Sequence, residues 1–497
     1  MKIKSVIAVS ILFSLFGTSI SAKAEESAST SSASVAEEWR KKPPSLPAPR
    51  EFKLPKIEKF KLSNGLSVEL VEDHRVPFST IALGVKAGSY VDPPNQAGLS
   101  TIVSDMLTEG TNKRSSKQIA EAIDFIGGAI AAQTGPDFTT VSASALSQYN
   151  ERLLDTFADV ILNPSFPEDE LKLEKTNKIQ ELALNRSKPD FLAAERFAKI
   201  VFGNHPYSTV APSASMVEKL KRQQLLDFHK QNFLPNEAQL VVVGDFKSDE
   251  MKSLVEKYFG EWKAGTIAKS KVPAQPKQTA RKIYLIDRPD SVQSKIKLGN
   301  IGIKKSDPDF YALTVANQLL GGAATSRLFL NIRENKGYTY GAYSKMTPQK
   351  EPGSFSSEAE VRTEVTAAAL QEFFYELERI RNLKPAEKEL NDSKNYLVGS
   401  FQLGLETQSG LAQRLLEGSL YQLPDDYLET YGKKILAVGP DDVRRVARKY
   451  VDLDNIVVTV VGDSKKIKSE LEYFAPLAVY DTEGNLENSG SKSAAAK

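Results

Sequence analysis

The chain has 497 residues, with 65 basic and 63 acidic side chains, three histidines and no cysteine. Because the charges nearly cancel, the composition does not favour nucleic acid or an anionic membrane as a partner. The lack of cysteine excludes disulfide bonds, thiolate metal sites and a lipid-modified cysteine, and three histidines leave little scope for imidazole metal sites.

The N-terminus has the pattern of a secretory signal peptide at 1–24. Two lysines precede an apolar run at 6–16, and the A-K-A sequence at 22–24 fits a small-x-small cleavage site. This run is shorter than the about 18 apolar residues that a membrane anchor requires. We therefore predict cleavage after Ala24 and a mature chain without a membrane span, located in the periplasm or, as the alternative, outside the cell.

Composition then divides the mature chain into two domains. Residues 25–52 are rich in Ser, Ala and Pro and are predicted to form a disordered leader, and 475–497 a flexible tail. A Lys-, Pro- and Ala-rich stretch at 263–282 lacks an apolar pattern and is the best linker candidate. The predicted domains are therefore 53–262 and 283–474, each long enough for a core of its own.

In the first domain, strand-like and helical segments alternate. The segments 65–73, 79–88 and 137–146 are predicted strands, and helices are predicted from Ala97 and from Lys117. The later strands alternate apolar and polar residues, which suits an antiparallel sheet with helices packed on one side.

The predicted helix at 97–111 has one apolar and one polar face. The residues at the spacing of a buried helical stripe are Leu99, Ile102, Val103, Met106 and Leu107. Thr101, Ser104 and Asp105 have i, i+3, i+4 spacing and share another face. This arrangement can offer three side chains to one metal ion or one substrate.

The second domain repeats the elements of the first. The segment starting at Ala97 corresponds to the one starting at Tyr311, 214 residues later, and two Val-Gly-Asp triplets start at Val243 and Val461, 218 residues apart. Near-constant offsets indicate a tandem duplication. The predicted fold is therefore α+β, with two tandem homologous domains, each a mainly antiparallel sheet with helices packed on one face.

The most specific motif, L-L-G-G-A-A-T-S-R-L-F-L-N-I-R-E-N-K-G-Y-T-Y-G-A-Y-S, spans 319–344. A helix is predicted to begin at Ser326 and to end at Gly337 before a strand, with Arg333 in its last turn and Tyr340 in the strand. An arginine there complements the helix dipole and a strand tyrosine packs well. Spacing alone therefore leaves a purely structural role open for both residues.

This motif resembles the second-half signature of the pitrilysin-type metallopeptidases, or inverted zincins, which include the mitochondrial processing peptidase and insulin-degrading enzyme. Their signature is similar to L-G-G, S-R-L-F and R-E-K-x-G-L-x-Y. The resemblance covers 53–474, including G-N-H-P-Y-S at 203–208 and the block 228–245. It implies that the chain is one of the short two-domain bacterial members and forms one half of a clamshell.

In this family the helix after A-G-L carries H-x-x-E-H, whose histidines hold zinc and whose glutamate activates water. The resemblance places Thr101, Ser104 and Asp105 on those three positions. The third zinc ligand, a glutamate about 76 residues further on, then corresponds to Glu181. Hydroxyls are poor zinc ligands and Ser104 cannot serve as a carboxylate base. We therefore expect a degenerate site without metal in this chain.

The same positions offer too few ligands for a calcium ion. Asp105 and Glu181 alone fall short of the six to eight oxygen ligands that calcium usually takes. The resemblance places His205 and His229 in family blocks that bind no metal, and His74 lies in a loop at a strand end. None of the three histidines needs a metal ion to explain it.

The resemblance gives Arg333 and Tyr340 a different role. In the family, the matching pair reaches the zinc site of the opposite half and stabilises the oxyanion that forms on the substrate carbonyl. Some members divide the work between two chains, one with H-x-x-E-H and one with this pair. The resemblance therefore predicts the noncatalytic subunit of a heterodimeric periplasmic zinc endopeptidase for peptides or small proteins, with zinc in a similar-sized partner.

Two other functions stay open. One is an inactive structural homologue, similar to the core subunits of respiratory complexes, although such a protein has no need of Arg333 and Tyr340 in register. The other is a stand-alone protein that captures extended peptides on an exposed strand edge. Tight peptide binding by the purified chain without a partner would favour the latter.

Overall fold

The computed structural model describes residues 53–267 and 272–487. The predicted signal peptide (1–24) and leader (25–52) lie outside the described residues, as does part of the predicted linker. Within the described ranges, no helix has the length and apolar character needed to cross a membrane.

The first sheet has the strand order β1-β2-β6-β3-β5-β4. Its strands are β1 Glu58–Lys61, β2 Ser67–Glu72, β3 Phe78–Val85, β4 Ala129–Thr134, β5 Thr139–Leu146 and β6 Ala238–Gly244. The pairing of β2 with β6 is parallel, and the other neighbours are antiparallel. The sheet is therefore mainly antiparallel, as predicted.

The second sheet has the order β12-β7-β11-β8-β10-β9. Its strands are β7 Lys282–Asp287, β8 Gln293–Ile301, β9 Thr339–Thr347, β10 Ser354–Arg362, β11 Val457–Gly462 and β12 Leu477–Tyr480. Five strands repeat the first sheet in order and direction, with β7 and β11 again parallel. This repetition confirms the two homologous domains.

The C-terminal tail predicted from residue 475 begins instead with a strand. Residues 477–480 form β12, which adds to the sheet by parallel pairing with β7. This four-residue segment is too short to show a periodic pattern, and it is a strand because it pairs with β7 at the edge of the sheet.

Fifteen α-helices occur in the described ranges. Those of the first domain are α1 Leu99–Asp105, α2 Ser116–Phe125, α3 Asn150–Leu162, α4 Glu168–Arg186, α5 Pro189–Phe202, α6 Ala214–Lys219, α7 Arg222–Asn232 and α8 Ser248–Phe259. Those of the second domain are α9 Phe310–Gly321, α10 Thr366–Asn382, α11 Glu387–Leu405, α12 Gln408–Leu420, α13 Tyr427–Leu436, α14 Pro440–Tyr450 and α15 Ser464–Leu471. A π-helix at Phe329–Asn335 precedes β9.

The central strands are buried on both faces because the two domains exchange a helix. In β6, Leu240 and Val242 pack in the core of the first domain, whereas Val241 and Val243 pack with residues of the second. Helix α12 lies on β3 and β6 of the first sheet, and α5 lies on β8 and β11 of the second. Each sheet therefore has helices of its own domain on one face, as predicted, and an exchanged helix on the other.

A glycine in β3 permits the close approach of α12. A Cβ atom at Gly84 would lie 2.5 Å from Leu420 Cδ1. That distance is far below van der Waals contact, so a larger residue would force the Leu420 side chain to move and would disturb its packing on β3. The cores of the two domains are thus joined rather than independent.

Candidate functional site

The start of α1 is held by backbone hydrogen bonds to one carboxylate. The Asp92 carboxylate accepts from the N–H groups of Gly98 and Ser100 at 2.8 and 2.9 Å, and burial raises the pKa of Asp92 to about 6. Gly98 has a φ of 89°, the left-handed region that glycine adopts readily. Helix α1 ends at Asp105, sooner than predicted, and continues as a 3₁₀ turn.

The predicted positions Asp105 and Glu181 meet at a lysine that sequence reasoning missed. Lys178 Nζ lies 3.3 Å from Asp105 Oδ2 and 3.0 Å from Glu181 Oε2. The Lys178 side chain is only 17% exposed. Burial opposes its charge, but the hydrogen bond with Glu181 and the charge of Asp105 outweigh burial, so the pKa of Lys178 is raised. The sequence signal was available, because Lys178 lies one helical turn before Glu181.

Glu174 adds a third carboxylate to this corner. It lies one turn before Lys178 on α4, and burial, followed by the nearby charge of Asp105, raises the pKa of Glu174. The charge of Lys178 acts in the opposite direction. We refer to Asp105, Glu174, Lys178 and Glu181 as the α1–α4 cluster: one ammonium group paired with two carboxylates, and a third carboxylate nearby on the same face of α4.

The two hydroxyl positions differ in exposure. Thr101 is half-buried on α1, whereas Ser104 is 1% exposed. Among the described residues, no group forms a hydrogen bond with Ser104 Oγ. A hydroxyl enclosed in this way has no access to a water molecule that it would have to activate. The structure therefore unites Asp105 and Glu181, and it leaves Ser104 without a polar contact to them.

The donor set of this corner does not fit zinc. Catalytic zinc sites use three protein ligands drawn from imidazole, thiolate and carboxylate groups. Here the carboxylates surround an ammonium group, which can only donate hydrogen bonds. In the part of the chain that the structure describes, no three histidine or acidic side chains are placed to hold one metal ion.

The three histidines have other contacts. His229 Nε2 donates to the Ile161 carbonyl at 2.7 Å, and burial lowers the pKa of His229 to about 4. His205 is buried, and its Nδ1 accepts from the Tyr207 N–H at 3.2 Å. His74 is exposed, with Nδ1 2.6 Å from Asp245 Oδ1. These contacts account for each histidine without a metal ion.

Arg333 lies on a π-helix rather than in the last turn of the predicted α-helix. The Lys336 N–H donates to the Asn331 carbonyl at 3.0 Å, the i to i−5 pattern of this wider helix. The Arg333 guanidinium carbon lies 4.6 Å from the centroid of the Phe329 ring, and Nη1 lies 3.4 Å from Glu334 Oε1. The Arg333 side chain remains 43% exposed. Short π-helical segments occur frequently at functional sites.

Tyr340 projects from β9 at a β-bulge. Tyr340 and Gly341 together oppose the single residue Glu360 of β10. The Thr339 hydroxyl holds the bulge, donating to the Glu360 carbonyl at 2.6 Å and accepting from the Gly341 N–H at 3.1 Å. In an unbroken strand Tyr340 would share the buried face of Ala342. The bulge turns the tyrosine outward, and it is 90% exposed.

A buried polar network behind the π-helix was also missed from the sequence. Asn331 Nδ2 donates to Glu372 Oε2 and Glu376 Oε1, both at 3.0 Å. Arg327 donates to both carboxylate oxygens of Glu389, at 2.6 and 2.8 Å. These contacts hold the segment that carries Arg333 against the helices behind it.

The π-helix packs against β9, so Arg333 and Tyr340 belong to one corner of the second domain. Gly337, between them, has a φ of 63°, which confirms the predicted glycine turn. Both side chains are hydrogen-bond donors, and within the described ranges no acceptor bonds to the Tyr340 hydroxyl. The corner can therefore donate to an oxygen atom outside this chain.

Comparison with protein families agrees with this geometry. The model of "Insulinase (Peptidase family M16)" matches residues 67–211, and that of "Peptidase M16 inactive domain" matches 219–397. Together they cover more than half of the chain. The chain belongs to peptidase family M16. The family predicted from the motif at 319–344, the pitrilysin-type metallopeptidases, is thereby confirmed.

Bacterial relatives match most of the length of this M16 chain. An "uncharacterized zinc protease" of Bacillus subtilis (strain 168), YmxG, is 27% identical over 401 residues, 79% of this chain and 95% of the relative. A protein of the same description from Mycobacterium tuberculosis (strain H37Rv) is 28% identical over 408 residues, 81% of this chain and 90% of the relative.

Solved structures share the fold. The crystal structure of a peptidase M16 inactive domain from Pseudomonas fluorescens has a TM-score of 0.77 and 26% identity, covering 82% of this chain and 98% of that one. A protease from Helicobacter pylori has a TM-score of 0.76 and 22% identity, covering 82% and 100%. This chain thus shares its two-domain architecture with M16 proteins of known structure from bacteria.

Proposed function

We propose that this M16 chain is the noncatalytic, substrate-binding and transition-state-stabilising subunit of a heterodimeric periplasmic zinc endopeptidase that acts on peptides or small proteins. The observation that carries the proposal is the contrast between two corners of the chain. In the α1–α4 cluster, Asp105 and Glu181 are paired with Lys178 of the same chain, whereas Arg333 and Tyr340 are exposed donors. The inactive-domain match and the zinc-protease relatives support it.

In this proposal, zinc and its activated water come from the partner, a similar-sized M16 chain with H-x-x-E-H. The present chain supplies the Arg333 guanidinium, whose planar fork suits a carbonyl oxygen, and the Tyr340 phenol. Both donate to the carbonyl oxygen of the peptide bond under attack. As negative charge grows on this oxygen, both hydrogen bonds strengthen, so the pair stabilises the transition state more than the bound substrate.

The division of labour implies a substantial interface. A stable complex in which one chain completes the site of the other is expected to bury more than about 1,000 Å². The partner is expected to carry the metal, and this chain is expected to carry none. The signal-like segment at 1–24 leads us to place the complex in the periplasm.

The test is co-purification followed by reconstitution. The mature chain is tagged at its C-terminus, isolated from the native periplasm, and its companions are identified by mass spectrometry. We expect one M16 chain with H-x-x-E-H in equal amount. Separately purified chains should be inactive on a peptide library, and the reconstituted pair should cleave it.

Other outcomes would decide against the proposal. An equimolar but inactive complex with an intact H-x-x-E-H partner would favour a structural role. Tight capture of peptides by this chain alone would favour a stand-alone binding protein. Peptide hydrolysis by this chain alone, with one tightly held zinc ion, would contradict a noncatalytic role directly.

A further inference from the structure

The α1–α4 cluster contains its own cation. We propose that the Lys178 ammonium group takes the place of a metal ion between α1 and α4 and closes this corner to divalent cations. This inference rests on the proposed noncatalytic role, and it gives a physical reason why the chain binds no metal ion at this corner. It is tested on the isolated chain, so that it can fail while the partner proposal holds.

The geometry places one cation among three acids. Glu174, Lys178 and Glu181 follow an i, i+4, i+7 spacing and share one face of α4. Asp105 approaches that face from α1, and Lys178 Nζ contacts both Asp105 and Glu181, at 3.3 and 3.0 Å. The ammonium group donates a hydrogen bond to Glu181 on its own helix and forms an ion pair with Asp105 of α1, so it links carboxylates from two helices.

The electrostatics explain why the cluster needs a cation. The pKa of Glu174 is raised first by burial and then by the negative charge of Asp105, so Glu174 and Asp105 repel each other when both are charged. Glu109 adds to this negative field. The neighbouring Lys175 donates from Nζ to the Leu220 carbonyl at 3.0 Å, and among the described residues it forms no ion pair with a carboxylate of the cluster. Lys178 is therefore the basic side chain on which the cluster depends.

The same argument shows why a metal ion is excluded. A divalent cation would have to displace the ammonium group from its two carboxylates while both positive charges shared a half-buried corner. The loss of the two histidines is thus accompanied by a second barrier to metal. Restoring the histidines alone would leave this barrier in place.

The first experiment uses the native background. Thermal unfolding of the mature chain is compared for wild type, Lys178→Gln and the control Lys172→Gln, an exposed lysine on the same helix, with and without Zn²⁺, Mn²⁺ or Ca²⁺. We expect Lys178→Gln to have a lower midpoint without metal, since three carboxylates are left uncompensated. We expect a divalent cation to leave the midpoints of wild type and Lys172→Gln unchanged, and to raise that of Lys178→Gln because its Asp105, Glu174 and Glu181 side chains can then turn toward the ion.

The second experiment restores imidazole ligands. The double variant Thr101→His/Asp105→His places two histidines opposite Glu181 without introducing a charge at the buried Ser104. Its zinc affinity is measured by chelator competition, alone and combined with Lys178→Gln or Lys172→Gln. We expect Lys178→Gln to tighten zinc binding by at least about ten-fold, and Lys172→Gln to have no effect.

Two results would overturn the inference. One is stoichiometric zinc binding by the wild-type chain with Lys178 in place. The other is a Lys178→Gln chain that folds, yet gains metal affinity in neither background. A failed co-purification with an H-x-x-E-H partner would instead count against the proposed function, since none of these metal measurements involves a partner.

Discussion

The two polar corners of the molecule use their charged groups in opposite ways. In the α1–α4 cluster, Asp105 and Glu181 are bound to Lys178 within the chain. In the corner of the second domain, Tyr340 is 90% exposed and Arg333 rests on the ring of Phe329 with its guanidinium open to solvent. In this duplicated fold, the polar groups of one corner therefore bond to one another, whereas the donors of the other corner are open to bond to another molecule.

This difference predicts how substitutions will act. An exposed tyrosine hydroxyl contributes little to the stability of its own chain, so its removal can have a large effect only through a molecule outside the chain. Substitutions in the α1–α4 cluster, in contrast, should change the stability of this chain rather than the turnover of the complex. Stability and turnover measured side by side therefore test the comparison.

The largest expected effect is at Tyr340. Tyr340→Phe removes one donor to the developing oxyanion and should lower turnover of the reconstituted complex by about 10²–10³-fold, with assembly and stability unchanged. Arg333→Lys should also be poorly tolerated, because it keeps the charge but loses the planar fork. Turnover is measured by cleavage of a fluorogenic peptide, and assembly by sedimentation.

Tyr473→Phe is the matched control for this prediction. Tyr473 is also 90% exposed, and its substitution should leave turnover unchanged. If the complex with Tyr340→Phe cleaved peptides at the wild-type rate, the corner that holds Arg333 and Tyr340 would have no catalytic role. The two corners would then differ in exposure but not in function.

The next largest effect is expected at Asn331, whose hydrogen bonds hold the π-helix that carries Arg333 against the helix behind it. Asn331→Ala removes a donor from Glu376, a carboxylate with 2% side-chain exposure, and should cost about 1–3 kcal/mol of unfolding free energy. The measurement is chemical denaturation, with the exposed Asn335→Ala on the same π-helix as control. Equal stability of the two variants would show that the network does not hold the π-helix.

A smaller, pH-dependent effect is expected at Glu174. Because the pKa of Glu174 is raised in the folded state, the wild-type chain loses stability as pH rises from the usual glutamate pKa through the raised one. Glu174→Gln removes that loss, so the variant should be more stable at pH 8 by up to about 1 kcal/mol. The gain should vanish below about pH 4.

Thermal unfolding across this pH range checks the prediction. Glu181→Gln is the comparison variant, since it removes a partner of Lys178 and should give no gain at pH 8. A gain from Glu181→Gln equal to that from Glu174→Gln would show that Lys178 does not organise the cluster.

The smallest effect is expected at Ser104. Its hydroxyl is buried without a hydrogen-bond partner among the described residues, so Ser104→Ala should change the unfolding free energy by less than about 1 kcal/mol, or raise it. Denaturant unfolding measures this change. A larger loss would indicate that the hydroxyl has a polar partner and that the position is not a vestige of the family's catalytic base.

Local sequence patterns were sufficient for several conclusions. The motif around Arg333 and Tyr340, the Val-Gly-Asp repeats and the shared helix face of Thr101, Ser104 and Asp105 are short-range features. They identified the family and the duplication, and they predict the four positions of a degenerate site, because residue type and spacing within one element carry that information.

The tertiary structure alone decided how those positions are used. Lys178 meets Asp105 only because α4 packs beside α1, and no pattern within either helix records that contact. Tyr340 faces outward because a bulge, defined by pairing with Glu360, breaks the alternation of β9. The exchange of α5 and α12, and the addition of β12 to β7, likewise depend on contacts between residues far apart in the chain, which local propensity does not encode.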